Sequence, residues 1–290
     1  MFRIGRICAA ALTAAMLAGA SGGAMAGDAA ASVLDRIRET GTITLGVRRD
    51  ARPHSWIDAK GTARGYTVDV CMAVVGKLRA ALGLSEITVR QEVVDATDRF
   101  QAVAEGRIDL LCGAATITLK RREIVDFTIP TFADGASVLV PADSSEDFTA
   151  LAGKRIGVRA GTTTEDALRS SLAGFGMTAE VVPVADHAAG LKGVETGELA
   201  AYFGDQSILF ALRDGSSIKD RLDVAANTLT LELQGLAVPL DDHRFRLEVD
   251  RALSRMYREG RMAAIFEAHF PDANPGDSIR YIHTFAPVLP

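Results

Sequence analysis

Val138-Leu139-Val140-Pro141 and Leu236-Ala237-Val238-Pro239 are apolar runs of equal length, each closed by a proline, and between them they divide the chain. Ahead of the first, strand-like and helix-like segments alternate. A short strand is expected at 42–47, a helix at 67–82 stopping at Gly83, a strand at 87–93, a helix at 99–105 ending at Gly106, and a strand at 108–112. A second series lies between the two runs: strand 155–158, helix 164–172, strand 180–184, helix 186–196, strand 200–204 and helix 206–212. Alternating β and α elements predict parallel sheets covered by helices on both faces. Two such series predict two α/β lobes, with the proline-closed runs as the two strands of a hinge. Helical stretches at 243–257 and 262–269 would then return to the first lobe. The expected organisation is a removable segment at 1–26, a discontinuous first lobe of 27–138 plus 237–290, and a second lobe of 139–236. One larger domain with ordinary strands at these places is the alternative that the pattern leaves open.

The N-terminus has the form of a secretory signal peptide. Arg3 and Arg6 precede an alanine-rich apolar run, and Ala24-Met25-Ala26 is a small-x-small cleavage site, so cleavage is expected after Ala26. Cys8 lies too near the start to read as a lipoprotein cysteine, so the expected product is unanchored and periplasmic. Losing this segment removes two arginines and no acid, which moves the net charge from −5 to about −7. That balance argues against nucleic acid or an anionic membrane as partner. Cys71 and Cys112 are the cysteines beyond the leader. In an oxidising compartment they form a disulfide or remain two buried thiols, and sequence alone leaves both open.

Catalytic and cofactor signatures are missing. There is no phosphate-cradling glycine motif, no G-x-S-x-G elbow and no H-E-x-x-H, and His54, His187, His243, His269 and His283 lack metal-ligand spacing. No cofactor and no metal are expected. Open α/β sheets bind ligands at the carboxyl ends of their strands, so the loops there carry the candidates. They are Arg48-Arg49-Asp50, the segment from Gly113 to Arg121, Gly161-Thr162-Thr163-Thr164-Glu165, and Asp205. Cations and hydroxyls from the first series, with hydroxyls and an acid from the second, are complementary to a zwitterion. Arginine engages a carboxylate through two charge-assisted hydrogen bonds, and Asp205 would take an ammonium. Taken singly, Arg121 reads as a solvated helix face, Thr162 and Thr163 as a helix cap, and Asp205 as a cap for the next helix.

As a set, these residues resemble the family 3 extracellular solute-binding proteins, the polar amino-acid receptors of ABC importers. The likeness runs from Val33 to Phe270. It rests on Gly61-x-x-x-Gly65-Tyr66-x-Val68-Asp69, Glu105-Gly106-x-x-Asp109, Thr116-x-Thr118-x-x-Arg121-x-x-x-Val125-Asp126-Phe127, and Leu151-x-Gly153-Lys154-x-Ile156-Gly157-Val158 followed by Gly161-Thr162-Thr163. The resemblance implies a type II, two-lobed periplasmic-binding-protein fold, and it is greatest to the glutamate/aspartate-binding branch. It implies that Thr116 and Arg121 hold the ligand's α-carboxylate with help from Thr163, and that Asp205 takes the ammonium. Arg48, Arg99 and His187 would meet an acidic side chain. Where that branch usually has serines this chain has Ala96, Ala114 and Ala160, which opens the way to glutamine or asparagine as ligand. Ala114, Thr162 and Trp56 are candidate pocket lining, with lobe packing as the alternative for Trp56. The implied protein is a monomeric, non-enzymatic carrier that closes on an amino acid and delivers it to an inner-membrane ABC permease. The rival is a cyclohexadienyl dehydratase on the same scaffold, acting on prephenate or arogenate, with Asp205 and Glu165 as the carboxyl groups to serve it.

Overall fold

A computed structural model describes residues 31–144, 147–271 and 276–285, and the expected signal segment and its cleavage site lie outside them. From Ser32 onward the chain forms one compact unit. The first lobe opens with α1 (Val33–Thr40) and β1 (Thr42–Arg48), then a small antiparallel sheet of β2 (Asp50–Ala51), β3 (Ser55–Ile57) and β4 (Ala63–Arg64). After it come α2 (Tyr66–Leu82), β5 (Thr88–Val94), α3 (Arg99–Ala104), β6 (Leu110–Cys112) and β7 (Val125–Phe127). Strand β8 (Phe132–Asp134) leads out of the lobe.

The second lobe contains β9 (Ala136–Pro141), β10 (Arg155–Arg159), α4 (Thr163–Gly174), β11 (Glu180–Val184), α5 (His187–Glu195), β12 (Ala201–Asp205), α6 (Gln206–Gly215) and β13 (Leu222–Val224). The chain returns through β14 (Glu232–Gln234) to β15 (Ala237–Pro239), α7 (His243–Arg258), α8 (Arg261–His269) and α9 (Asp277–Phe285).

Each lobe is a five-stranded sheet, ordered β5-β1-β6-β15-β7 in the first and β11-β10-β12-β9-β13 in the second. The first three strands of each are parallel and the last two antiparallel to their neighbours, so the sheets are mixed rather than wholly parallel. Topology supplies the reason. A strand reached through a crossover helix runs parallel, whereas β9 and β15 enter directly from the other lobe and so run the opposite way. The strands that join the lobes are β8 and β14, which pair antiparallel. The proline-closed runs expected to be the hinge are instead β9 and β15, each lying within a sheet.

Alternation puts core on both faces of each sheet. In β9, Val138 and Val140 pack with Ile156, Val158 and Leu168 under α4, while Leu139 faces Tyr202, Val194 and Leu209 under α5 and α6. In β1, Ile43, Leu45 and Val47 join the large core beneath α2 and α7. The G-Y-x-V-D motif has a steric basis. Gly65 has φ +131°, and a Cβ there would lie 2.2 Å from the His54 carbonyl oxygen, so only glycine lets α2 start against that loop. Asp109, from the E-G-x-x-D motif, accepts the Thr44 backbone N–H at 2.7 Å and pairs with Arg36, tying β6 to β1 and α1.

Cys71 on α2 and Cys112 at the end of β6 have Cα atoms 6.1 Å apart and are joined by a disulfide, which closes a loop of sequence separation 41. Such a crosslink narrows the unfolded ensemble by about 2–4 kcal/mol. Reduction should therefore lower the urea midpoint of the protein, measured with and without a phosphine reductant. An unchanged midpoint would contradict the crosslink.

Candidate functional site

Each implied ligand residue sits where a strand ends. Arg48 is the last residue of β1, Arg99 begins α3 after β5, and Thr116 and Arg121 lie in the segment after β6. From the second lobe, Thr163 begins α4 after β10, His187 begins α5 after β11, and Asp205 ends β12. The two lobes meet there. Thr116 Oγ1 and Thr163 Oγ1 are 3.3 Å apart across the cleft. Arg121 donates from Nη1 to the Thr116 carbonyl at 2.7 Å, and it shares the Phe100 ring with Arg99, each guanidinium carbon 4.6 Å from the centroid.

Arg99 is 2% exposed and Arg48 3%. Burial, and then the repulsion of Arg48 and Arg121, pull the Arg99 guanidinium well below its ordinary value. Both Nε–H groups, of Arg48 and of Arg99, are buried without a hydrogen-bond partner. A buried guanidinium donor left unpaired is costly. Arg99 Nη1 donates to the Ala96 carbonyl, so main chain supplies a partner on the loop whose Ala96 lacks the hydroxyl common in the resembled branch. Ala114 packs with Ala51 and Ile208 rather than offering any polar atom.

Three groups beyond the expected set complete this end. Asp50 accepts from Arg48 Nη2 at 2.6 Å and from Arg159 Nε at 3.4 Å, and Arg159 Nη2 reaches Asp95 at 2.6 Å. Arg159 belongs to the second lobe, Asp50 and Asp95 to the first, so these pairs span the cleft. Burial raises the Asp50 carboxyl, but Arg48, His187 and Arg159 outweigh it and leave the group below its ordinary value. His187 pairs through Nδ1 with the Tyr202 hydroxyl at 2.7 Å, and burial takes its ring down to about 4, so it sits neutral.

The acids gather beside the hinge. Asp205 occupies the N-cap position of α6 but makes no side-chain cap there. Its carboxylate accepts instead from Thr164 Oγ1 and Gln234 Nε2, both at 3.1 Å. Burial raises its pKa and the neighbouring Glu232 adds to the rise. Glu232 on β14 accepts from Thr116 Oγ1 at 2.6 Å and Thr163 Oγ1 at 2.8 Å through one oxygen, and from Thr230 Oγ1 at 2.7 Å through the other. Asp134 on β8 lies opposite Glu232 in register and accepts from Ser207, whose hydroxyl also meets His54 Nε2 at 2.8 Å. Burial, then Asp205, push the Asp134 carboxyl up to about 7.

Two candidates are placed elsewhere. The Thr162 hydroxyl caps α4, accepting the Glu165 N–H at 3.2 Å and donating to the Arg159 carbonyl at 2.7 Å. Trp56 lies beneath Arg52, 4.5 Å from ring centroid to guanidinium carbon, and edge-on to His269. Among the described residues no group of three His, Cys, Asp or Glu side chains is arranged to hold a metal ion.

Comparison with known proteins identifies the family and the fold. The sequence profile of the bacterial extracellular solute-binding proteins, family 3, matches residues 43–272. The L-glutamate/L-aspartate-binding protein of Pseudomonas aeruginosa is 29% identical over 93% of this chain and 90% of its own. The glutamate/aspartate import solute-binding protein of Escherichia coli is 25% identical over 91% and 88%. Among solved structures, an ancestral amino-acid-binding protein that is a precursor of cyclohexadienyl dehydratase superposes with a TM-score of 0.72 at 25% identity, covering 83% of this chain and all of its own. The L-cysteine solute receptor of Neisseria gonorrhoeae shares the fold, with a TM-score of 0.73 at 24% identity over 83% and 94% of the two chains.

A raised carboxyl pKa makes the Asp134 contribution run downhill with pH. The folded protein keeps a proton there that the unfolded chain gives up, so stability from this group falls between about pH 4 and pH 7 and is level above. Asp134→Asn removes that loss. The melting temperature of the variant relative to wild type should climb across this interval and then stay constant. A difference independent of pH would show that Asp134 ionises normally.

Proposed function

The chain belongs to the bacterial extracellular solute-binding proteins of family 3, and on that premise we propose that it is a periplasmic receptor for an acidic amino acid, glutamate or aspartate, serving an ABC importer. The signal-peptide-like N-terminus supports export, with cleavage after Ala26. The observation that carries the ligand class is the pair of buried, unpartnered Nε–H groups of Arg48 and Arg99 at one end of the cleft. A side-chain carboxylate brought there supplies the missing acceptors and offsets the repulsion among the arginines.

At the other end, Thr116, Thr163 and Arg121 make a second seat for a carboxylate, and Asp205 stands close enough to Arg99 and Arg121 to act on both. An ammonium beside Asp205 favours its ionised form and so reverses the effect of burial. Two carboxylate seats and one ammonium seat describe glutamate or aspartate, and glutamine or asparagine would leave the arginine end without its anion. The relatives from Pseudomonas aeruginosa and Escherichia coli, named for glutamate and aspartate, support the same ligand class.

Binding works by closure. Arg48, Arg99, Thr116 and Arg121 come from the first lobe, and Thr163, His187 and Asp205 from the second, so a ligand touching both favours the state in which they meet. The protein then acts as a monomeric carrier that presents the closed form to its inner-membrane permease and performs no chemical step. Of the two carboxyl groups that the dehydratase alternative would use, Glu165 is turned to the Gly161 N–H and to Arg169, and Asp205 is held by Thr164 and Gln234.

The test is a thermal-shift panel on refolded mature protein with the twenty amino acids, several dicarboxylates and prephenate. L-Glutamate or L-aspartate at about a thousand times its dissociation constant should add about 4 kcal/mol of stability, a rise of several degrees. Arg99→Ala should abolish most of that rise. A larger shift with glutamine or asparagine would overturn the assignment of Arg48 and Arg99. A shift with prephenate alone, accompanied by its turnover, would replace the carrier with the lyase.

A further inference from the structure

Glu232 is held as a bound carboxylate would be. One oxygen receives a hydroxyl from each lobe, Thr116 at 2.6 Å and Thr163 at 2.8 Å, and Arg121 is near enough to feel its charge. These are the groups to which the proposed function gives the ligand's α-carboxylate. The residue belongs to neither sheet. It lies on β14, one of the two strands that join the lobes, with the Thr116 segment running alongside through a bridge from Thr116 to Gln234 and a bond from Ile117 N–H to the Leu233 carbonyl at 2.9 Å.

We propose that Glu232 is an internal competitor for the carboxylate seat and a latch across the cleft, and so helps to set both affinity and ligand preference. This rests on the amino-acid-receptor reading of the same cleft. A threonine hydroxyl carries a single proton, so Thr116 and Thr163 cannot donate to Glu232 and to an incoming carboxylate at once. Nor can two carboxylates share a seat beside Asp205 without strong repulsion. The ligand therefore displaces Glu232. The side chain has somewhere to go, because it is only half-buried and its outer oxygen already rests on Thr230 at the cleft edge.

The consequence for binding has a definite sign. With Glu232 displaced, the complex gains nothing from it, whereas the protein without ligand is stabilised by the latch. Removing the carboxylate destabilises only the starting state, so affinity must rise. A charged hydrogen bond of ordinary strength corresponds to about tenfold or more.

Wild type, Glu232→Gln and Glu232→Ala are refolded as mature proteins, titrated calorimetrically with L-glutamate, and measured by small-angle X-ray scattering without added ligand. Both variants should bind L-glutamate about tenfold or more tightly. Glu232→Ala should show a larger radius of gyration than wild type, as its lobes part. Unchanged or weaker binding overturns the competitor, and weaker binding makes Glu232 part of the ligand's own shell. Equal radii overturn the latch. If neither wild type nor variant binds L-glutamate, the acidic-amino-acid reading fails while the scattering still decides the latch.

Discussion

Arg48, at the end of β1, and Arg99, at the start of the helix after its neighbour β5, lie almost wholly out of water, and Arg121 shares the Phe100 ring with Arg99. Gathering three guanidinium groups in a cleft is expensive unless anions answer them, and that demand organises what surrounds them. Asp50 and Arg159 form an ion pair that reaches across from one lobe to the other. His187, a cation at low pH, is kept neutral by burial. Asp205 gives up the helix cap its position invites and turns its carboxylate into the cleft.

That arrangement is made possible by the way the chain crosses between lobes. Each sheet takes three parallel strands from its own series, then one strand that arrives from the other lobe, β15 or β9, with β7 or β13 paired antiparallel outside it. The carboxyl ends of β1, β5 and β6 therefore face those of β10, β11 and β12, with Arg48, Arg159 and Asp205 on strand ends, Arg99, Thr163 and His187 on helix starts, and Thr116 in the segment that follows β6. Strands β8 and β14 are the places where the chain crosses between the two halves. The joining strands carry Asp134 and Glu232 opposite one another, so the hinge is itself an acidic part of the site.

Much of this was legible in the residues. Helix 67–82 and strand 180–184 stand within a residue of their expected bounds, because glycine stops and periodic apolar positions define them strongly. The positions of Arg48, Thr116, Thr163 and Asp205, at or beyond strand ends, follow from the alternating strand and helix pattern. Other parts were hidden for physical reasons. In Thr230-Leu231-Glu232-Leu233-Gln234 the apolar alternation points outward: Leu231 is 74% exposed and Gln234 only 2%. A reader of the pattern would put Glu232 on the wrong face, since the strand borders a polar cleft and not a core. Arg159 extends its strand by one residue past the apolar run, and Asp50 was visible only as the third residue of a charged loop. The hinge was placed on β9 and β15 because a proline-closed apolar run describes a strand inside a sheet as well as it describes a crossing.

On the proposed function, two carboxylates and one ammonium are matched to arginines, threonines and Asp205 in the closed cleft. A crystal structure of the refolded mature protein with L-glutamate tests it most directly. The α-carboxylate should lie between Thr116, Thr163 and Arg121, the ammonium on Asp205, the side-chain carboxylate on the Nε–H groups of Arg48 and Arg99, and Glu232 should be turned away. Glutamate bound in the reverse sense, or bound with Glu232 still hydrogen-bonded to both threonines, would contradict it.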